Sequence, residues 1–420
     1  MMNGVAFLPT TASAPDAPQP AADAPQPGLP GSGDRVPHLS SRLQGLGTTI
    51  FAEMSALAAR TGSINLGQGF PDTDGPATVA EAAVAAIRAG HNQYPPGPGI
   101  ADLRQAIAEH RHRFYAQSFD PDTEVLVTAG ATEAITAAVV GLCEIGDEVV
   151  TFEPYYDSYA AAIALAGAQR RVVPLEPPAW SFDPERLTGA ITPRTRLILL
   201  NSPHNPTGKV FGADELAAIA RCCVEHDLLA VTDEVYEHLI FEGSHVPLAT
   251  LPGMAERTVT ISSAGKTFSF TGWKVGWACG PASLIAAVRT VKQFLTYVNA
   301  APFQPAVAVG LRLDDDWFAR IGADLELRRD LLCDGLRAAG AEVLTPAATY
   351  FATVTAASFG YDDGTTLCRE LPERAGVVGV PSATFYDDKR AGGPFVRLAF
   401  CKRPALLEQA LQRLTTMVVP

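Results

Sequence analysis

The sequence of 420 residues lacks the excess of basic side chains that binding to nucleic acids or anionic lipids requires, because its formal net charge is -13. It also lacks an apolar stretch of the roughly 18 residues that a membrane-spanning helix needs, and no basic, apolar and small-residue signal opens the chain. These absences predict a cytoplasmic protein that works on small molecules and binds neither nucleic acid nor membrane.

Paired cysteines and metal-binding motifs are missing as well. The seven cysteines are odd in number and include no CxxC pair, and none of the eight histidines belongs to an HExxH motif. His110 and His112 fall in a charged helical pattern, which indicates exposure to solvent rather than metal coordination. We therefore expect reduced, mostly buried thiols and no metal site.

The composition, by contrast, is ample for a large core, with 47% hydrophobic and 18% charged residues. Residues 1–38 differ, since they are rich in Pro, Ala, Asp and Gly and contain the string DAPQP twice. Such a segment buries too little apolar surface to offset the entropy lost on ordering. We predict a disordered leader over 1–38, and then a helical pattern that begins near Ser41 and ends at Gly62.

Seven short β-rich runs alternate with helical patterns through the middle of the chain. The runs cover residues 124–128, 148–152, 171–175, 196–201, 229–233, 259–262 and 276–279. Runs this apolar, with helices between them, predict an α/β fold whose mainly parallel sheet is covered on both faces. Ligands of such sheets bind beyond the carboxyl ends of the strands, so the residues that follow each run are the candidates for a site.

The sixth run leads into Lys266, which has two serines before it and a second cation, Lys274, after it. An amine attacks an aldehyde only when it is deprotonated, and burial or a neighbouring cation lowers the pKa of a lysine. The Gly-Lys-Thr tripeptide here resembles the end of a nucleotide-binding P-loop, but that loop needs a glycine where Thr260 stands. For a lysine taken alone, a solvated loop position is the ordinary interpretation.

The other strand ends supply groups that complement one ligand, pyridoxal phosphate. Lys266 would bind its aldehyde, and Asp233 would keep its pyridine nitrogen protonated, so that the ring accepts electrons. Asn205 and Tyr236 would donate to its phenolate, and Tyr156 would stack on its ring. Its phosphate would be held by helix amides, a hydroxyl and a cation, which come from Ala131, Thr132, Ser263 and Lys274. An Asn-Pro turn, an acidic strand end or a buried tyrosine is unremarkable alone, but the combination favours this cofactor.

Together the motifs NLGQGFPD, NQYPPGPG, TAGATEAI, EPYYDSY, NSPHNPTG, TDEVY, SSAGKTFSFTGWKVGW and FVRLAF resemble those of the fold-type I, class I aminotransferases. The resemblance covers nearly the whole chain after the leader. Within that class it is greatest to the kynurenine, glutamine and methionine aminotransferases and to actinobacterial N-succinyldiaminopimelate aminotransferases. It implies a seven-stranded, mainly parallel sheet in a large cofactor-binding domain, 76–303, and a smaller α+β domain made of 41–75 and 304–420.

The resemblance also assigns roles to single residues. It implies that Lys266 carries the cofactor, while Arg397 grips the α-carboxylate of the substrate, a bidentate task suited to a guanidinium. Asn205 also contacts the substrate, and the backbone of Gly69 lies against it. Tyr94 matches a tyrosine that reaches the phosphate of the neighbouring subunit, which implies a homodimer with shared active sites.

The substrate is less constrained. A second arginine of the kind that selects dicarboxylates is not identifiable in the sequence, so aspartate is a poor candidate for the substrate. A separate departure from many relatives is that Lys274 stands where they have arginine. Rings close to the motifs suggest a roomy, partly apolar pocket: Phe70, Tyr155, Tyr297, Phe303, Tyr350 and Phe351. We expect a donor with a long or bulky side chain, N-succinyl-LL-diaminopimelate with glutamate as amino source. Kynurenine, glutamine or methionine transamination, a cysteine-conjugate β-lyase and a non-catalytic regulator remain alternatives.

Overall fold

The computed structural model describes residues 36–47 and 49–419. The chain divides into two units, Met1–Gly45 and Leu46–Pro420, which are described separately. In the first, the side chain of Gln44 bonds to the Val36 amide and the Leu39 carbonyl beside a 3-10 helix over Ser41–Leu43. Most of the predicted leader, residues 1–35, lies outside the described residues.

The second unit combines helices and strands. Its helices, in chain order, are α1 Ile50–Thr61, α2 Ala77–Arg88, α3 Ala101–Tyr115, α4 Gly130–Leu142, α5 Ser158–Ala166, α6 Pro184–Gly189, α7 Ala213–Glu225, α8 Ala264–Thr267, α9 Ala282–Leu295, α10 Phe303–Leu311, α11 Asp315–Ala338, α12 Gly364–Ala375, α13 Lys389–Gly392 and α14 Pro404–Thr415. Within the described part of the chain, none of the helices has the length and apolarity to cross a bilayer.

Most of the strands belong to two sheets. The strands are β1 Ile64–Asn65, β2 Val125–Thr128, β3 Glu148–Glu153, β4 Gln169–Pro174, β5 Thr195–Asn201, β6 Leu229–Asp233, β7 Thr258–Ser263, β8 Gly276–Cys279, β9 Val343–Leu344, β10 Phe351–Thr355, β11 Val377–Val378, β12 Val380–Pro381 and β13 Phe395–Ala399. The larger sheet has seven strands in the order β2-β8-β7-β6-β5-β3-β4. Within this sheet β8 runs opposite to the other six strands, so the predicted α/β fold with a mainly parallel seven-stranded sheet is confirmed.

The larger sheet is apolar on both faces because helices cover both. Along β5, Leu197 and Leu199 pack into one cluster with α4 and α5, while Ile198 and Leu200 pack into another with α7. Side chains of a strand alternate between faces, and each fully buried leucine or isoleucine contributes about 1.5–3 kcal/mol. Two-sided burial is the reason that these runs read as continuously apolar.

The smaller antiparallel sheet has the order β12-β13-β10-β9. It shares a core with α1, α12, α14 and the later turns of α11, through residues such as Leu332 and Leu336. Phe318, near the start of α11, packs instead beside Trp277 of the larger sheet, so this one helix serves both cores. The division into domains 76–303 and 41–75 with 304–420 stays a prediction.

The predicted runs lie within two residues of the observed strands, but the first helix is wrong at its start. The helix expected from near Ser41 begins at Ile50, where the hydroxyl of Thr49 accepts the Ala52 amide at 3.3 Å. Gly45 has a φ of 83°, a conformation that a helix cannot include. The end at Gly62, which caps α1 in the left-handed conformation, is as expected.

A cluster of buried charges lies between α3 and the turn after β6. The Arg111 guanidinium donates to Glu234 at 3.0 Å and to Glu237 at 2.8 Å, and all three side chains are almost fully excluded from solvent. Glu237 also accepts the Ser262 hydroxyl of β7 at 2.6 Å, and Arg111 holds the pKa values of both glutamates below their usual range despite burial. The ion pairs therefore join three elements that lead to the candidate site.

The exposure expected for His110 is wrong. Its ring is buried against Phe114 and Phe318, and its Nε2 atom lies 2.9 Å from Nε2 of His238. Burial lowers the pKa of His110 to about 3 and that of His238 to about 4. The charged pattern of α3 is misleading because Arg111, one residue further, is neutralised by two glutamates, which allows this face of the helix to be buried.

We expect Arg111→Leu to lower the free energy of unfolding by about 3–5 kcal/mol, because it leaves two buried carboxylates without their cation. The measurement is reversible urea unfolding of the cofactor-free protein, followed by circular dichroism.

The matched control is Arg113→Leu on the same helix. Arg113 pairs with Asp315, whose side chain is 75% exposed, and the loss should stay below about 1 kcal/mol. Equal losses in the two variants would contradict the importance assigned to the buried cluster.

Candidate active site

The candidate residues gather at the carboxyl edge of the larger sheet, as the strand directions require. Asp233 ends β6, Ser263 ends β7 and Lys266 follows in the single turn of α8. Asn205 follows β5, and Arg397 comes from β13 of the smaller sheet. Segments up to 330 residues apart in sequence thus meet at one place. The Gly69 carbonyl accepts from Tyr350 at 2.6 Å and from Lys266 at 3.3 Å, and the Gly67 carbonyl accepts from Arg397 at 3.1 Å.

Lys266 is half-buried, and its Nζ donates to the carbonyl oxygen of Gly69 at 3.3 Å. Nζ also lies 5.9 Å from the ring centre of Tyr236 and 5.6 Å from that of Tyr350. Burial, with smaller contributions from Arg397 and Lys274, lowers the pKa of Lys266 to about 8 against the opposing effects of Cys401 and Asp233. The amine is thus partly neutral near physiological pH. The sequence names Lys274 as the cation responsible, but Arg397 has the larger effect.

Asp233 is a carboxylate buried at the end of β6. Its carboxylate accepts a hydrogen bond from the Tyr159 hydroxyl at 2.6 Å. Among residues 36–47 and 49–419, Asp233 takes part in no salt bridge. Burial raises its pKa to about 6, against the opposing effect of the Tyr159 hydrogen bond. Asn201 fixes the surroundings, because its side chain donates to the Asp233 carbonyl at 2.8 Å and accepts the Asn205 amide at 2.7 Å.

Sequence reasoning missed Tyr159. Its ring lies edge-on to that of Tyr156, with centres 5.8 Å apart. Tyr159 lies in the first turn of α5, and its amide donates to the carbonyl of Tyr156, just ahead of the helix, at 3.0 Å. The spacing of three residues between the two tyrosines, typical of neighbours on one helical turn, was the available signal.

Arg397 is 1% exposed and is held by both polar and aromatic contacts. It donates to the side-chain oxygen of Asn205 at 2.8 Å and to the Gly67 carbonyl at 3.1 Å. Its guanidinium carbon lies 3.9 Å from the ring centre of Phe351 and 4.8 Å from that of Phe385. Burial lowers its pKa to about 10. Within the described residues its Nε atom is buried without a hydrogen-bond partner, so the side chain has donor capacity for an anion.

The predicted anion cup lies at the start of α4. Gly130 opens this helix with a φ of 76°, and a methyl group added to it would lie 3.1 Å from Nζ of Lys274. The amides of Ala131 and Thr132 therefore belong to the first turn, where the helix dipole favours anions. Asn299 supports the cup by donating to the carbonyls of Thr128, at 3.0 Å, and Lys274, at 3.1 Å.

The candidate rings fall into separate places. Tyr236 is buried against Tyr350, with ring centres 5.4 Å apart. Tyr94 is 81% exposed and lies edge-on to Tyr297 at 5.5 Å. Two further rings named from the sequence have other partners: the Tyr155 hydroxyl donates to Asp387, and Phe303 stacks on Trp273. Aromatic residues serve cores and sites alike, so their proximity to motifs in the sequence does not discriminate.

A cavity of about 350 Å³ lies on one side of Lys266. Its wall contains Lys266, Tyr350 and Phe268, and it also contains charged groups from the loop before α2 and from α11. Those charged groups are Asp74, Arg320, Asp324 and Arg328. The amine therefore has space beside it that is separate from the Arg397 and Asn205 pair.

Comparisons with known proteins find relatives over most of the chain. The family model described as aminotransferase class I and II matches residues 61–414. The chain is 53% identical to a probable N-succinyldiaminopimelate aminotransferase of Mycobacterium tuberculosis, over 90% of this chain and 98% of the relative. It is 40% identical to a methionine aminotransferase of Escherichia coli, over 89% and 97% of the two chains. It is 37% identical to a kynurenine–oxoglutarate transaminase of Mus musculus, over 88% of each.

A solved structure shows the same relationship. The N-succinyldiaminopimelate aminotransferase structure from Mycobacterium tuberculosis superposes with a TM-score of 0.89 at 54% identity, and the match covers 90% of this chain and all of the other.

We expect Asp233→Asn to stabilise the cofactor-free protein above pH 6. Burial raises the pKa of Asp233 from 3.8 to about 6, so the folded state binds this proton more tightly than the unfolded state. The stability contributed by the group is complete below about pH 3.8 and is lost as the pH rises to about 6. The variant avoids that loss and should gain up to about 3 kcal/mol, measured by urea unfolding at pH 4 and pH 7.5.

Asp387→Asn is the control with the opposite sign. Hydrogen bonds from Arg170 and Tyr155 hold the pKa of Asp387 below its usual value, so this variant should lose stability at pH 7.5. A wild type as stable as Asp233→Asn at pH 7.5 would show that the carboxylate is not strained by burial.

Proposed function

The chain belongs to the class I and II aminotransferases, and from that membership we propose that it transfers an amino group between N-succinyl-LL-diaminopimelate and the glutamate and 2-oxoglutarate pair, a step of lysine biosynthesis. The observation that carries the substrate assignment is the 53% identity to the mycobacterial relative of that name, against 40% and 37% for the methionine and kynurenine enzymes. Enzymes of this family act on amino acids and 2-oxo acids with pyridoxal 5'-phosphate as cofactor.

The residues of the site fit that cofactor. Asp233 is a buried carboxylate that lacks an ion pair within the described chain, and a protonated pyridine nitrogen is the cation that would relieve its burial. Tyr236 and Asn205 would face the phenolate oxygen, and Tyr156 would cover the ring. Ala131, Thr132, Ser263 and Lys274 would hold the phosphate. When bound, the cofactor supplies an electron sink for the electron pair left on the substrate carbon after its proton is removed.

The protein's own groups would carry out the proton transfers. Lys266 would accept the substrate proton at Nζ and give it back in the second proton transfer of the reaction. A pKa of about 8 suits this role, because a base works best when its pKa is near the operating pH. Arg397 and Asn205 would bind the α-carboxylate, and the unpartnered Nε of Arg397 supports that role. The rings around Arg397 would exclude water and fix the direction of the guanidinium.

We also propose a homodimer with shared sites. Tyr94 is 81% exposed, Phe294 83% and Tyr297 55%, and exposed aromatic residues of this kind are typical of protein interfaces. An interface there would place the Tyr94 hydroxyl of one subunit near the phosphate of the other. Location in the cytoplasm stays a prediction from composition.

The test of the activity is a donor panel assayed against 2-oxoglutarate and pyruvate. The specificity constant for N-succinyl-LL-diaminopimelate should exceed those for kynurenine, methionine and glutamine, and a cysteine conjugate should give little pyruvate and ammonia. If one of the three amino acids exceeds it by tenfold, about 1.4 kcal/mol of transition-state binding, the substrate assignment falls.

Lys266→Ala is the control for the reacting amine. It should abolish transamination of every donor, and borohydride should fix the cofactor on Lys266 in the wild type. Cofactor found on Lys209 or Lys274 would overturn the role of Lys266, whatever the donor ranking.

Tyr94→Phe tests the shared site. Loss of a hydrogen bond to a charged phosphate costs about 1.5–3 kcal/mol. The dissociation constant of the cofactor should therefore rise at least tenfold, as measured by dialysis and visible absorbance. Mixing Tyr94→Phe with Lys266→Ala subunits should create dimers with one intact site and one site that carries both changes. Active enzyme that is monomeric by light scattering would contradict the proposal.

A further inference from the structure

The carbonyl oxygen of Gly69 receives two donors that belong to different parts of the fold. The Tyr350 hydroxyl donates to it at 2.6 Å, and Lys266 Nζ donates to it at 3.3 Å. Tyr350 immediately precedes β10 and is 1% exposed. The phenol is therefore close to the reacting amine through a single shared oxygen atom.

The position of Gly69 is tightly fixed. A methyl group added to it would lie 2.4 Å from Cζ of Phe351 and 3.1 Å from Cε2 of Tyr350, so the glycine allows this close approach. The neighbouring carbonyls are held in the same manner, because Arg397 donates to Gly67 at 3.1 Å and Lys402 donates to Phe70 at 2.7 Å. The loop thus presents its backbone oxygens to side chains at fixed places.

We propose that Tyr350 is a positioning residue of the reaction: its hydroxyl holds the Gly69 carbonyl oxygen where that oxygen receives the free amine of Lys266. The inference rests on the function proposed above, in which Lys266 is the reacting amine. It adds a residue to that function, since neither the motifs nor their resemblance assign a role to the Tyr350 hydroxyl.

Sharing the oxygen also affects the proton affinity of Lys266. A carbonyl oxygen that already accepts a short hydrogen bond from a phenol is a weaker acceptor for a second donor. The ammonium form of Lys266 donates more strongly than the neutral amine, so it loses more from this competition. The Tyr350 hydroxyl therefore favours the neutral amine, which is the form that accepts the substrate proton.

Several other charged or titratable groups act on the same amine and must stay constant in a test. They are Asp233, Tyr236, Lys274, Arg397 and Cys401 around Nζ, and Asp74, Arg320, Asp324 and Arg328 in the wall of the adjoining cavity. Tyr350→Phe replaces none of these side chains, although it also removes the hydrogen bond between the Tyr350 and Tyr236 hydroxyls. It keeps the ring that packs edge-on against Tyr236, so the variant tests the hydroxyl of Tyr350 and not its ring.

The direct test measures the pKa of Lys266 in the cofactor-free full-length protein by competitive labelling with acetic anhydride and mass spectrometry of the lysine peptide. In Tyr350→Phe we expect this pKa to rise by about half a unit or more, a threefold change in the ratio of ammonium to amine. Tyr361→Phe is the matched control, because it also removes a hydroxyl with a 2.6 Å hydrogen bond, to Glu370, and the Lys266 pKa should not change.

The second test uses the cofactor-loaded enzyme. The acidic limb of the kcat profile should move to higher pH in Tyr350→Phe and stay in place in Tyr361→Phe. An unchanged pKa of Lys266, or a lower one, overturns the role of Tyr350. Labelling does not require activity, so that outcome is distinguishable from failure of the proposed function, in which Lys266→Ala would retain transamination.

Discussion

The ion pairs of Arg111 with Glu234 and Glu237 are the constraint on which the site depends. Glu234 follows Asp233 directly, and Glu237 follows Tyr236, so the same turn carries two residues for the cofactor and two for the guanidinium. Glu237 also holds Ser262, just ahead of the turn that carries the lysine. A buried cation on α3 therefore fixes the ends of β6 and β7 together. A charge cluster of this kind is costly to desolvate, and it is stable only because each carboxylate has several donors.

The larger sheet and most of the site could be predicted from the sequence for a physical reason. Strands buried on both faces produce apolar runs, and parallel strands place their ends on one edge. Asp233 stands at such an end, and Asn205 and Lys266 follow within four residues of one. Local pattern alone could not place Arg397, whose position depends on a second sheet packed nearby. The resemblance supplied it.

Other features depended on tertiary contacts that no local pattern records. Tyr350 reads as one aromatic residue among several, and its hydroxyl acquires meaning only when the loop at Gly69 folds over it. His110 reads as exposed because its neighbours are charged, yet the guanidinium next to it is neutralised by residues more than a hundred positions away. The start of α1 was misjudged because apolar spacing continued across Gly45, where the backbone cannot be helical. Composition sets how much of the chain is buried, but hydrogen bonds and ion pairs decide which polar side chains are buried with it.

Burial shifts the three ionisable groups of the site toward their neutral forms in the cofactor-free protein, with pKa values near 8 for Lys266, 6 for Asp233 and 10 for Arg397. A cationic ring nitrogen would reverse the shift at Asp233, which must then release whatever proton it carries. Loading of the cofactor is consequently linked to proton exchange with the medium. The heat that a calorimeter records for loading therefore contains the ionisation enthalpy of the buffer, in proportion to the net number of protons exchanged between Asp233, the ring nitrogen and the medium.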